Sequence, residues 1–443
     1  MRKEGVLKKV SIFFNNKRAV FILLLLFLFI RIIIVLLAGE KTNFGDGFSY
    51  NGFAAAILEN RDWLTNPDYI GNYRPPVYPF LIAIIYSIFG VNNYLAVYIF
   101  QSILGTLTCL YIYKFSEKVF NHHVALLSLV WSGVSVFYLR YVGELLRETL
   151  VIFFLMAFFY YLYIYLTEKK NKTSNLWAFS VIYFLLIHTD PKFLFYLPFL
   201  IVLFVVYPPL LQGVKSYSIF LGITIILMIP WVIRNYIAYD GFVLINTRTV
   251  DLRLNNARDP VMDRYLKYNL FNFGQVNNVT VNSKYPTEEE RETIKKGFNP
   301  YNRSEDEVIA IKKDIYPAST FLARKFDHFI QLWKPFDFMR SYRPFPDARF
   351  NGVWSLKHNL SSIICYGFLL PFMLLALGCL VKHRNKIWIF LTFPLVIHTL
   401  LHILYYGRSR YRVPVDAFII ILGSYGICYI AERFLSKQKE RYL

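Results

Sequence analysis

The sequence predicts an all-α fold: a polytopic membrane helix bundle of about ten spans, with interfacial helices and an extracytoplasmic segment. Three observations predict it. Of 443 residues, 56% are hydrophobic and 19% aromatic, against roughly 45–50% apolar in a soluble domain. The excess is gathered into long runs, the first reading AVFILLLLFLFIRIIIVLLA from Ala19 to Ala38. A helix needs roughly 20 such residues to cross a bilayer core. Lys and Arg then flank the runs unevenly, which is how membrane topology is written. In lipid the backbone must satisfy its own hydrogen bonds, so the runs are expected to be helices.

In chain order the spans fall at 18–38, 93–116, 123–139, 147–166, 175–190, 192–208, 216–237, 356–381, 386–406 and 412–432. The first is longer than the roughly 7–15 apolar residues of a signal peptide and lacks a clear A-x-A site. The run 77–90, VYPFLIAIIYSIFG, is short for a span and is expected as an interfacial or re-entrant helix. Charge checks that choice. With the N-terminus in the cytoplasm, the inner segments become KFSEKVFNHH, EKKNK, the turn at Lys215, KHRNK and the tail SKQKERYL, all carrying Lys or Arg. Counting 77–90 as a span would put EKKNK and KHRNK on opposite sides, against the positive-inside rule. The segment 238–355 is too long for a simple connector and reads as an extracytoplasmic cap. Its stretch 322–334 has apolar residues at helical spacing and suits a membrane surface.

Composition also excludes function classes. The charge of +20, from 49 Lys and Arg against 29 Asp and Glu, lies beside apolar runs and accompanies no RNA- or DNA-binding motif. No nucleic-acid partner is expected. Cys109, Cys365, Cys379 and Cys428 lie in apolar runs without a C-x-x-C pair and read as small core residues. There is no phosphate-binding G-x-x-x-x-G-K-S/T loop and no G-x-G-x-x-G opening a βαβ unit. No D-x-D triplet occurs, which weighs against a metal-held nucleotide sugar.

The outer face collects the chemistry. Asp46, in Gly45-Asp46-Gly47, is a general base or substrate-orienting carboxylate; the alternative is ordinary turn chemistry. Arg74 precedes two prolines, where its guanidinium can grip a phosphate with paired hydrogen bonds; the alternative is an Arg snorkelling to the interface. Glu144 and Glu148 share a helix face. The helix dipole favours acids there, but Glu148 lies deeper, where an ionisable group is more often functional. Arg408, Arg410 and Arg412 fit a phosphate or the headgroups of anionic lipids. His398 and His402 have metal-ligand spacing without a third ligand. Arg31 interrupts the first span and faces a cavity or snorkels.

The order of Asp46 and Tyr50, Arg74-Pro75-Pro76-Val77-Tyr78-Pro79, QSILGTLTCLYIYK, Glu148-Thr149-Leu150, PWVIRNY and Arg410-Tyr411-Arg412-Val413-Pro414 resembles the membrane glycosyltransferases of the GT-C superfamily. It is similar to the bacterial branch near protein O-mannosyltransferases and the lipid A aminoarabinose transferase. The resemblance implies transfer of a sugar from a polyprenyl-phosphate donor on the outer leaflet to a lipid-linked glycan, lipid or protein acceptor, in the cell (inner) membrane with the site facing outward. It implies catalytic roles for Asp46 and Glu148, and substrate binding by Tyr50, Arg74, Tyr78, Glu144, Arg410 and Arg412. Residues 1–237 become an N-terminal catalytic module with the first outer loop, 238–355 the cap, and 356–443 the C-terminal membrane helices. The cofactor stays unknown: a divalent cation is one option, but no protein metal site stands out. Asp190-Pro191-Lys192 departs from the Arg of many relatives. A transporter or flippase of polyprenyl-linked sugars would also need outer arginines, but not Asp46, and the few polar groups inside the spans favour the enzyme. An inactive relative serving as a structural subunit is a third reading.

Overall fold

A computed structural model describes residues 17–38, 46–59, 74–168, 172–239, 244–245, 321–335, 363–404 and 409–442. These are mostly helical, with no strand among them. The elements that carry the spans are α1 (Lys17–Ala38), α4 (Tyr94–Val119), α5 (His122–Val134), α7 (Glu148–Thr167), α8 (Lys172–Thr189), α9 (Leu197–Val206), α10 (Leu210–Tyr239), α12 (Leu369–Lys382), α13 (Ile387–Leu404) and α15 (Asp416–Tyr442). Between them lie α2 (Asp46–Leu58), α3 (Val77–Phe89), α6 (Val136–Tyr141), α11 (Phe321–Trp333) and the four-residue α14 (Ser409–Arg412).

Within the described residues, each of the ten predicted stretches holds a helix. Seven are long and apolar enough to cross a membrane. The other three fall short for visible reasons. The predicted span 123–139 breaks at Ser135 into α5 and α6. Lys172, Asn175 and His188 dilute the apolar run of α8. The predicted span 192–208 opens as a 3-10 turn, Pro191–Tyr196, before α9, because Asp190 caps that turn by accepting from the Lys192 backbone N–H.

The run 77–90 forms the short helix α3, which is tied to α2 at both ends. Arg74, just before α3, pairs with Asp46 at the start of α2. Asn92, just after α3, accepts from Asn51 in the same short helix, and Tyr86 donates to Asn51. Thirteen residues make a helix of about 20 Å, and both its ends are tied to the first two turns of α2. Of the predicted cap, 240–243, 246–320 and 336–355 lie outside the described residues, as do 1–16, 39–45, 60–73, 169–171, 356–362 and 405–408. The predicted helix at 322–334 is present as α11. Its Leu322 and Phe326 are exposed, and Trp333 and His328 bond to α13.

Packing at the core is aromatic: Phe158, Phe159, Phe179, Tyr183, Phe204, Phe220, Phe390 and Phe418 lie in edge, tilted or stacked pairs. Close helix approach comes from small residues, as expected where lipid removes the hydrophobic drive between helices. A Cβ on Gly426 of α15 would lie 2.1 Å from the Phe372 carbonyl oxygen of α12. Arg31 neither snorkels nor opens on a cavity. It is fully buried and donates to the carbonyls of Phe27 and Gly133 and to the Cys109 sulfur.

Candidate active site

Four chain segments deliver charged side chains to one end of the bundle: the start of α2, the start of α7, the 190–192 turn and α14. They line a cleft with Asp46, Arg147, Glu148, Asp190, Lys192, His398, Arg410 and Tyr411 in its wall. Charge alternates across it. Arg410 donates through Nε to Glu148 and lies 3.4 Å from Asp46 Oδ2. Asp190, opposite in sign, stands between Arg147 at 3.1 Å and Lys192 at 3.4 Å. Glu148 is buried at the N-terminus of α7, where the helix dipole favours a carboxylate. Its Oε2 has no hydrogen-bond partner among the described residues.

Asp46 is oriented from behind. Arg74 binds its Oδ1 at 2.7 Å, donates through Nε to Ser49 at 2.8 Å, and lies over the Tyr50 ring. Arg74 is only 5% exposed, so it supports the Asp46 carboxylate more than it faces the cleft. Tyr50 and Tyr78 form an edge-on pair and are fully buried. Tyr78 donates to Gln101, whose amide reaches the carbonyls of Val142 and Glu144. This chain of contacts fixes the turn that precedes Glu148.

The predicted residues therefore divide. Asp46, Glu148 and Arg410 meet in the cleft, with Arg74 directly behind. Tyr50 and Tyr78 form the buried layer beneath, outside the cleft wall. Glu144 pairs with Arg140 at 2.7 Å, outside the cleft wall. Arg412 corrects the expectation most clearly. It is fully buried, pairs with Asp416 at 2.8 Å, covers the Tyr366 ring and donates to the carbonyls of Leu332 and Lys334. Two residues along a helix is about 200° of rotation, so Arg410 and Arg412 face opposite ways. Its spacing of four from Asp416 was a readable signal of an internal pair. Sequence reasoning had not assembled Arg147, Asp190, Lys192 and His398 into the site; nothing local marks them as neighbours of Arg410. Among the described residues no three His, Cys, Asp or Glu side chains converge on a metal-sized point. The positive charge between the two catalytic candidates is the guanidinium of Arg410.

Fold and site together define an all-α polytopic membrane protein that resembles the GT-C membrane glycosyltransferases. Residues 73–233 match the profile of the dolichyl-phosphate-mannose-protein mannosyltransferases. That stretch holds Arg74, Glu148 and Lys192; Asp46 and Arg410 lie outside it. No curated protein matches by sequence. Among solved structures, the apo oligosaccharyltransferase of Archaeoglobus fulgidus superposes with a TM-score of 0.55 at 14% identity, over 97% of this chain and 52% of that one. The same archaeal enzyme, AglB, in complex with an inhibitory peptide and a dolichol-phosphate gives 0.55 at 13% identity, over 96% and 52%. The likeness is one of fold, and this chain spans about half the length of that enzyme.

Proposed function

We propose that the protein is a membrane glycosyltransferase moving a sugar from a polyprenyl-phosphate carrier to an extracytoplasmic acceptor. The acceptor is a lipid-linked glycan, a lipid or a protein, and the cleft faces outward from the cell (inner) membrane. The observation that carries this reading is the Arg410 bridge between Asp46 and Glu148. It joins two carboxylates suited to acid–base work and a cation suited to a leaving phosphate, in one cleft.

The chemistry follows from the charges. The bond between the sugar and the carrier phosphate breaks, and negative charge gathers on the departing phosphate oxygens. Cations already fixed in a water-poor cleft stabilise that charge without reorganising. Arg410, Arg147 and Lys192 line the wall. The acceptor hydroxyl loses its proton as it attacks the sugar carbon, and Asp46 takes that proton. Arg74 and Arg410 hold the carboxylate in place. Attack opposite the phosphate inverts the anomeric centre. Glu148 orients Arg410 with one oxygen and keeps the other for a substrate hydroxyl. The match to the mannosyltransferase profile supports a lipid-linked donor. The fold shared with an archaeal enzyme solved with dolichol-phosphate supports it too. The segment 238–355, largely outside the described residues, is assigned to acceptor choice.

The test is transfer by the purified protein, incubated with a panel of radiolabelled polyprenyl-phosphate sugars and a membrane extract. One donor is expected to pass its label to an acceptor. Binding of the carrier with no release of sugar from any donor would overturn the enzyme in favour of transport.

A further inference from the structure

Arg410 is 31% exposed, so burial alone does not fix where its guanidinium lies. The residue after it is held far more firmly. The carbonyl of Tyr411 meets His398 Nε2 at 2.6 Å. A carbonyl only accepts, so Nε2 carries the hydrogen. The other ring nitrogen, Nδ1, lies 3.0 Å from the Tyr196 hydroxyl, which also reaches the Pro394 carbonyl at 3.1 Å. The imidazole, buried in α13, is thus held at both nitrogens. The Tyr411 ring is clamped as well. His402 stacks on one side at 5.0 Å with 9° between planes, and the Lys192 ammonium sits 4.2 Å from the ring centre. With its carbonyl pinned and its ring clamped, Tyr411 leaves α14 one orientation, and that orientation sends Arg410 to Glu148 and Asp46.

We propose that His398 is a positioning residue for Arg410. Its Nε2–H bond to the Tyr411 carbonyl sets the register of α14 that lets one guanidinium span both carboxylates. The inference rests on the glycosyl-transfer reading for its effect on rate, and on geometry alone for its effect on carrier binding. Displacing a catalytic group by about 1 Å can cost roughly 100-fold in rate, so a lost register is measurable.

The side-chain amide of Gln can place a donor where Nε2 stands, whereas Asn reaches only to the Nδ1 position and Leu fills space without donating. His398→Gln is expected to keep kcat within a few-fold of wild type. His398→Asn and His398→Leu are expected to lose kcat by about 10–100-fold. The decisive comparison is the cycle with Arg410→Ala. If His398 acts through Arg410, His398→Asn adds no further loss in that background. Wild type, His398→Gln, His398→Asn, Arg410→Ala and the double variant His398→Asn with Arg410→Ala are also titrated with a radiolabelled polyprenyl phosphate, which reads Arg410 placement without turnover. Wild type and His398→Gln should bind alike, with His398→Asn and Arg410→Ala weaker and non-additive. Additive losses, or a ranking by volume in which Leu is tolerated and Gln is not, would overturn the proposal. If wild type transfers no sugar but the binding order holds, the positioning role stands and the glycosyl-transfer reading falls.

Discussion

Replacing Asp46 with Asn separates chemistry from architecture in this cleft. Asn has nearly the same size and keeps one oxygen to accept from Arg74, so the change is chiefly one of charge. Asp46 is 34% exposed, and its pairs with Arg74 and Arg410 are partly solvated. Such pairs are worth about 0.2–1 kcal/mol each. Arg74 keeps Ser49 and the Tyr50 ring, and Arg410 keeps Glu148. The stability loss is therefore expected to stay below about 2 kcal/mol. Loss of a general base costs far more in rate, about 10²–10⁴-fold, or roughly 3–5 kcal/mol in the barrier. Three measurements on purified wild type and Asp46→Asn resolve this: sugar transfer from the active donor, binding of polyprenyl phosphate, and the unfolding transition. The expected result is a folded, carrier-binding protein with turnover down at least 100-fold. Turnover within tenfold of wild type would refute the base. A loss that merely follows weakened binding would make Asp46 a binding group instead.

Glu148→Gln keeps an acceptor for Arg410 but removes the anion from the pair, a loss of about 1–1.5 kcal/mol, so kcat should fall about tenfold in the same transfer assay. Arg412→Met leaves Asp416 buried without its cation and should destabilise by about 3–5 kcal/mol. Adding Asp416→Leu should recover most of that in thermal unfolding, and a double variant as unstable as the single one would contradict the pairing. Gly426→Ala drives a methyl into the backbone of α12 and should cost about 1–3 kcal/mol. Gly222→Ala, where a Cβ meets nothing within 4 Å, is the control expected to unfold like wild type.

Some of this was legible in the chain. Lipid acts on each segment separately, so hydropathy alone located the helical stretches, and loop charge alone ordered their ends. That pattern put Asp46, Glu148 and Arg410 at the same end of the bundle, as the cleft requires. It also marked 77–90 as a helix short for a span, since fourteen residues are few for a bilayer core, and a short helix is what forms there.

Pairing was not legible, because it depends on which helices pack together. Arg410 and Glu148 are 262 positions apart, and no local rule joins them. The sequence offered three outer arginines as equals. The structure put Arg410 between two acids and buried Arg412 against Asp416, since helix rotation turns residues two apart to opposite sides. It likewise gave Asp190, which the sequence marked only as a departure from the Arg of many relatives, a place between Arg147 and Lys192. One-dimensional pattern determined that this chain spans a membrane and where along it the polar groups must emerge. Tertiary packing alone decided which charges face one another, because a charge in a low-dielectric site is set by its neighbours in space rather than by those in the chain.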